Sequence, residues 1–600
     1  MAITRSAGIP EAPATPEGLM SIDERIRNKC SRGAIYASAS CQLNTLSERR
    51  IRQMSGAIRA KPGWVSKSQS AEICERWKAE AKAQNLTDLE VDYVFAELNY
   101  YVSLHKADTN IILGAVDGVW CSDSLVDDEM TKALKDYAAI LENVPARDKD
   151  WHPNSNDQVL NLIHPSLFPL IYKRSSVLSE PIASPLTALE LKSFGSFPGT
   201  PLNWSRTLNP PPNKDESDED YTKRLVRMPM RSELPGGAQP NFYIPLSSVS
   251  YASDKFCWLP TEFRVDSDGA TTIESYINNL HPRKHAALYP IIGSIFSKFV
   301  PMLEQVVTDY VHQRGQRVVP DPYNWFRSEQ AEPEDYDAED YDERYEQWEE
   351  NKIFIDPQPE PFVAPDRPTT PYCLRARRLQ AIVKMSNIEL TPEKPDYDGG
   401  NWHVEAMANE RIIATGIYYY DVENIAESNL KFREAVDEDI SYEQNDRRGM
   451  NSAYGIYEEN DDDEVPLAQN IGHIEIKNGR CLVFPNIYQH QVSSFKLADP
   501  TKPGHRKILA FFFIDPSTRI PSTEIVPPQQ QSWWTENVLS TSPLGELPLL
   551  VAEGILNQVD FPISLDEAKS IRLELMAERS VSNNDVTESQ FNPPFYLCEH

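Results

Sequence analysis

The chain has 600 residues, with 59 Lys and Arg against 90 Asp and Glu and a net charge of -31. That length exceeds what one small core needs, so two or three packed units are expected, or one large jelly-roll enzyme wrapped in helices. A charge of this sign repels a polyphosphate backbone and no basic groove is visible in the sequence, which argues against nucleic acid as a partner.

The eight cysteines, Cys30, Cys41, Cys74, Cys121, Cys257, Cys373, Cys481 and Cys598, are scattered without a CxxC pair. Neither a zinc ribbon nor a dense disulfide scaffold is indicated, and a reducing compartment suits them. The first residues lack the apolar run of a signal peptide, and the apolar stretch Leu509 to Ile514 is too short to span a bilayer. An intracellular, cytoplasmic protein with no membrane partner is expected.

Residues 1–22, rich in Pro, Ala and Gly, predict a disordered leader. A helical region is expected over 23–150. Ile73, Trp77 and Ala81 recur at four-residue spacing, Val91, Val94, Phe95, Leu98 and Val102 at three and four, and Leu134, Tyr137, Ile140 and Leu141 follow. Trp77, Tyr100 and Tyr101 read as core at that spacing. Residues 151–325 predict a mixed region contributing to the catalytic unit: prolines break it into loops, Pro210-Pro211-Pro212 reads as a surface loop, and 271–311 returns to helical character from Ile273 through Leu303. Residues 326–370 form an acidic insert, in which Tyr336, Tyr341, Tyr345 and Trp348 are interleaved with carboxylates, and a solvated segment is expected.

From 371 to 530 the texture is β-rich. Leu379, Ala381 and Val383, then Ile412 to Tyr420 and Lys507 to Ile514, are short runs separated by turns such as Asp398-Gly399-Gly400 and Asn478-Gly479. These strands are not interleaved with helices. The predicted fold is therefore α+β: a double-stranded β-helix, or jelly roll, holding a metal at 371–530, with N-terminal and mid-chain helical layers packed on it and a C-terminal extension over 531–600.

Trp402-His403-Val404-Glu405 follows the Gly-Gly turn, and residues i and i+2 of a strand share a face, so His403 and Glu405 project together. Imidazole and carboxylate, completed by a second His, hold Fe(II) on one face of its octahedron and leave the other face open. With eleven His and 90 acidic residues, His-x-Asp/Glu pairs also arise by chance, and His473-Ile474-Glu475 is a second one. That pair lies one hairpin from His490, too close for strands set apart in a jelly roll. His403, Glu405 and His490 are therefore the predicted iron ligands and catalytic centre, and His473 and Glu475 ordinary strand residues.

Arg506 heads the strand Lys507 to Ile514, and its planar fork suits the remote carboxylate of 2-oxoglutarate. His505 is expected to face the other way. On the earlier strand Ala414 to Asp421, a hydroxyl of Thr415, Tyr418 or Tyr420 is expected to reach the cosubstrate, the inward face being open at this stage.

With these residues in place, the chain resembles the 2-oxoglutarate/Fe(II)-dependent oxygenase superfamily, in the order His-x-Asp/Glu, distal His, then Arg on a late strand. More narrowly, it resembles a mostly fungal family of large proteins of unassigned function, through blocks at 151–170, 275–282, 387–425 and 480–516; that resemblance spans roughly residues 45 to 540. It implies an oxygenase-type iron centre using 2-oxoglutarate as cosubstrate and passes on no substrate. Hydroxylation is the expected default outcome, with a slight preference for a small molecule over a protein as substrate. The alternatives are a protein hydroxylase or demethylase, a cupin-like dioxygenase, and a catalytically silent jelly-roll binding module.

Overall fold

A computed structural model of the chain describes residues 42–600 apart from 106–109, 173, 177, 179–180, 190–251, 313, 406, 437–439, 441, 443–445, 457–464, 517–518, 542, 557–562 and 596–600. The expected leader and the Pro210-Pro211-Pro212 loop lie outside the described residues.

The amphipathic periods become helices α1 (Leu46–Arg59), α2 (Ala71–Ala83), α3 (Asp88–Leu104) and α4 (Asp128–Glu142). Their starts are set by local chemistry: Thr45 and Asp127 accept from backbone N–H groups in the first turn, and Thr87 with Glu90 forms a reciprocal capping box. The region between α3 and α4 departs from the helical expectation. There the chain makes two short strands, β1 (Ile112–Leu113) and β2 (Trp120–Ser122), too brief to display a period of their own. Further on, 271–311 is helical only in part. Thr271–Ile273 is a strand, Asn279 takes a positive φ just before Pro282, and the helix runs from Leu288 to Val311. This last helix is long and apolar enough to cross a membrane, yet it is mostly buried in the protein.

Ten strands form one large antiparallel sheet. Besides β1 and β2 it takes β3 (Asp150–Trp151), β4 (Val159–Ile163), β5 (Thr261–Val265), β6 (Thr271–Ile273) and, from the β-rich segment, β7 (Arg377–Leu390), β9 (Ile412–Glu423), β12 (Cys481–Pro485) and β15 (Gly504–Ile514). The order is β1-β2-β12-β9-β15-β7-β4-β3, with β5 also on β7 and β6 on β5. A separate three-stranded sheet runs β11-β10-β13, from Gln469–Glu475, Asn429–Glu434 and Gln489–Val492, and β8 (Asp396–Tyr397) pairs with β14 (Phe495–Lys496).

Strand alternation sorts the large sheet into two faces. One face, with Leu379, Ala381, Val383, Met385, Ala414, Tyr418, Leu509, Phe511 and Phe513, packs under the helices, above all α5 (Leu288–Val311). Phe296 stacks on Phe263 with ring centroids 4.0 Å apart, and Phe299 meets Phe511 edge-on at 5.4 Å. Gly416 is required there, since a Cβ would lie 2.8 Å from the Phe299 ring. The other face, with Ile382, Ile417, Tyr419, Ala510, Phe512 and Ile514, shares an apolar core with Leu430, Phe432 and Ile474 of the small sheet. Thr415 and Tyr419 of β9 lie on this second face.

In the acidic insert, α6 (Tyr341–Glu350) carries a chain of ring contacts from Tyr336 through Tyr341 and Tyr345 to Trp348. Trp348 is buried, with the Lys352 ammonium 4.1 Å over its ring. After 531 the chain includes a long helix, α7 (Leu565–Val586), whose Leu575 enters the inter-sheet core.

Candidate metal centre

His403 and His490 face each other across one antiparallel bridge. The His403 N–H donates to the His490 carbonyl at 3.0 Å, and the His490 N–H to the His403 carbonyl at 2.9 Å. The Trp402-to-Glu405 segment is thus a single bridge followed by a bend, shorter than the strand expected from the sequence. Glu405 reaches the same spot because its backbone is clamped by Asn486. The Asn486 Oδ1 accepts from the Glu405 N–H at 2.9 Å, and its Nδ2 donates to the Glu405 carbonyl at 3.0 Å and to that of Ile412 at 3.1 Å.

The Glu405 Oε1 lies 3.3 Å from the His490 Nε2 and 3.7 Å from the His403 Nε2. One donor atom from each of the three residues falls within 4.8 Å of the others, and among the described residues this is the cluster that meets that test. The His403 Nδ1 lies 2.9 Å from the Asn401 carbonyl, which only accepts, so Nδ1 carries a proton and Nε2 is the nitrogen turned toward Glu405, the one that would face a metal. His490 is packed between rings, with Phe484 at 4.8 Å and Phe432 at 6.5 Å. Its side chain is 4% exposed and that of His403 38%, so the centre opens to solvent beside His403.

The electrostatics suit a cation. Burial would raise the Glu405 carboxyl, but hydrogen bonds from His403 and His490 outweigh it and hold that group well below its ordinary range. Burial would lower His403, and Glu405 more than offsets it, leaving that imidazole raised. At His490 burial wins, helped by the charge of His403, and the imidazole is lowered. Two imidazole nitrogens and a carboxylate oxygen are the donor set that suits Fe(II) with open positions.

Arg506, near the start of β15, is buried in the same inter-sheet space. Its Nη1 donates to the Ser428 hydroxyl at 2.8 Å, and its guanidinium lies 4.7 Å from the Phe495 ring centroid and 5.7 Å from that of Tyr419. The Nε has no hydrogen-bond partner, and among the described residues no carboxylate pairs with it. Burial lowers its affinity for the proton, opposed by Tyr419 and Tyr397. His505 faces away, 2.9 Å from Asp421.

Thr415 sits on the inner face opposite Phe512 and Phe484, its hydroxyl buried without a partner. Tyr418 and Tyr420 do not join it. The alternation of β9 turns both toward the helices, where the Tyr418 hydroxyl meets Thr131 of α4 at 2.6 Å and the Tyr420 hydroxyl approaches Asn387 at 3.5 Å. The tyrosine on the inner face is Tyr419, beside Arg506. His473 and Glu475 are exposed on β11, lining a cavity of about 670 Å³ against α1 that contains none of the triad.

A family profile described as "Protein of unknown function (DUF4246)" matches residues 88–537, which contain the whole centre. The chain belongs to the DUF4246 family. No curated protein matches this DUF4246 chain. Among solved structures, it is similar to the Fe(II)/α-ketoglutarate-dependent dioxygenase TqaL at 10% identity and a TM-score of 0.21, over 45% of this chain and 70% of that one. It is also similar to a bsmA homologue from Methylobium petroleophilum PM1 at 11% identity and a TM-score of 0.14, over 25% of this chain and 48% of that one. At these scores neither likeness bears on the chemistry, which is argued from the chain's own residues.

Proposed function

We propose that this DUF4246 protein is an Fe(II)/2-oxoglutarate-dependent oxygenase of the hydroxylase type, built on a double-stranded β-helix and acting on a small molecule. The fold reading is supported by the strand order. The β-rich segment lays β12-β9-β15-β7 in one sheet and β11-β10-β13 in a second, extended by the His403 bridge to β13, so the chain passes back and forth between the sheets except at β10 and β11, which follow one another in the smaller one. The observation that carries the functional reading is the convergence of His403, Glu405 and His490 in the space that also holds Arg506, a buried cation without an anion.

His403 and His490 would hold iron through Nε2 and Glu405 through a carboxylate oxygen, leaving the remaining positions open. Iron bound there would bring dioxygen together with 2-oxoglutarate: dioxygen is the oxidant, 2-oxoglutarate supplies two electrons and leaves as carbon dioxide and succinate, which carries one oxygen atom, and the second oxygen atom goes to the hydroxylated product. Arg506 offers the Nε and unused guanidinium protons to the remote carboxylate of the cosubstrate, and Thr415 offers a hydroxyl. Asn401 and Asn486 orient the ligands from behind. Phe432 and Phe484 keep water from the buried side of His490.

Succinate released from 2-oxoglutarate by the purified protein tests this reading. Release should require Fe(II), vanish in His403→Ala and persist in His473→Ala. An intact fold that retains no iron and releases no succinate contradicts it.

A further inference from the structure

Next to the triad, the large sheet carries a second cation without a partner. Lys384 lies on β7, one pleat from Ile382, on the face turned toward the small sheet, opposite Ala510 of β15. It is half-buried, and among the described residues no hydrogen bond or ion pair reaches its ammonium. Burial depresses its proton affinity, and the carboxylate that works against this is Glu405, already held between the two imidazoles.

The adjoining strand supplies polar atoms that are also unspent. Ser386 of β7 pairs with Asn161 of β4, and His164 follows at the end of that strand. The Asn161 Oδ1, the His164 Nδ1 and the Arg572 Nε of α7 are buried without hydrogen-bond partners. Asp150 is paired with Arg572 at 2.7 Å, accepts from the Asn161 amide at 3.2 Å and lies 4.0 Å from the His164 Nδ1, but makes no ion pair with Lys384. The rings of His152 and His164 lie 5.5 Å apart. Burial, then the charge of Lys384, lowers both imidazoles. The Pro153 carbonyl, 3.0 Å from the His152 Nδ1, takes the N–H of that ring, so the neutral imidazole with an N–H to spare is His164.

We propose that Lys384 anchors a carboxylate of the substrate, flanked by His164, at an anion subsite beside the metal centre and separate from Arg506. The substrate class is then a small carboxylic acid. This rests on the oxygenase reading of the triad. Taking an ammonium out of water without a counter-ion is costly, and a carboxylate offsets that cost with a charge-assisted hydrogen bond. Once Glu405 is committed to a metal ion, Lys384 faces a net positive centre, which strengthens the preference for an anion and rejects an amine.

Acid and amide pairs separate this subsite from the metal. Hexanoate with hexanamide, phenylacetate with phenylacetamide, and inorganic phosphate are titrated into the metal-free full chain by calorimetry. The acids should bind to the wild type and to Arg506→Met, at least about tenfold more weakly to Lys384→Met, and with affinity retained in Lys384→Arg; the amides and phosphate should not bind. Equal binding of acid and amide, acid binding that survives in Lys384→Met, binding lost only in Arg506→Met, or phosphate bound in place of acids would each overturn the proposal. Folding of each variant is checked by its thermal transition, and iron retention is measured on the same preparations after Fe(II) is added back. Acid binding through Lys384 in a chain that retains no iron would leave the anion subsite and overturn the oxygenase reading.

Discussion

Asn486 grips Glu405 at both backbone polar groups, accepting from its N–H at 2.9 Å and donating to its carbonyl at 3.0 Å. This fully buried amide sets the bend that swings the carboxylate between the two imidazoles. Asn486→Ala should weaken iron affinity by roughly ten- to a hundredfold while His490 stays packed, as expected for a residue that orients a ligand from behind. Iron content after dialysis against graded chelator checks this. Unchanged retention would mean that Glu405 holds its place without the clamp.

Arg506 should show opposite effects on binding and on stability. Its guanidinium is buried with Ser428 as its hydrogen-bond partner and no carboxylate among the described residues. Arg506→Met removes a desolvated cation, so the thermal midpoint should hold or rise. The same variant should bind 2-oxoglutarate about ten- to a hundredfold more weakly. A lowered midpoint with unchanged cosubstrate affinity would assign Arg506 to the scaffold.

The two faces of β9 give a paired test. Tyr418→Phe loses the contact with Thr131, costing about 1 kcal/mol of stability, and should leave 2-oxoglutarate affinity unchanged. Thr415→Val removes an unpartnered buried hydroxyl, so it should not destabilise the fold, yet it should lower cosubstrate affinity severalfold. Calorimetric titration of both variants decides. A loss of affinity in Tyr418→Phe would return that hydroxyl to the cosubstrate pocket.

Far from the metal centre, Arg317 ties the helical layer together, at 2.9 Å from Glu48, 2.8 Å from Glu97 and 2.6 Å from Asp117. Burial would raise the carboxyls of Glu48 and Asp117, and Arg317 outweighs it only together with Arg52 at Glu48 and with Arg59, Arg52 and Arg314 at Asp117, so both titrate below their ordinary range. Folded values below the unfolded ones, near about 4, give stability that is present above that pH and lost as pH falls through the folded values. The thermal midpoint should therefore be level between about pH 5 and 7 and drop below about pH 4. Arg317→Met should lower stability at neutral pH by about 3–5 kcal/mol and flatten the acid limb, because the carboxylates lose a cation that depresses them. Parallel acid limbs in the two proteins would contradict this.

What was legible in the sequence followed period and spacing. The helices of the first region announce themselves through Val91, Val94 and Leu98, and the triad through a pair after a Gly-Gly turn with a third ligand several strands away. The inward face of β9 was not legible, because Thr415 and Tyr418 fall on opposite sides only once Ile417 and Tyr419 are seen in the inter-sheet core. Asn486 reads as a turn residue after Pro485, and its role depends on a backbone 81 positions away. Lys384 sits in a run of apolar residues as any strand lysine would, and the absence of a partner for it is a tertiary fact. The short strands β1 and β2 left no period, and the sheet they extend is built from segments distant in the chain.

The central claim is that His403, Glu405 and His490 form one iron site that shares its cavity with a 2-oxoglutarate site at Arg506. Anaerobic titration of the metal-free chain with Fe(II) and then 2-oxoglutarate, followed by visible absorption, tests both halves at once. One equivalent of iron should bind, and a charge-transfer band should appear only when 2-oxoglutarate is added, be absent in His403→Ala and need more 2-oxoglutarate in Arg506→Met. A folded wild-type protein that takes up no iron, or takes it up without a band at saturating 2-oxoglutarate, would contradict the account.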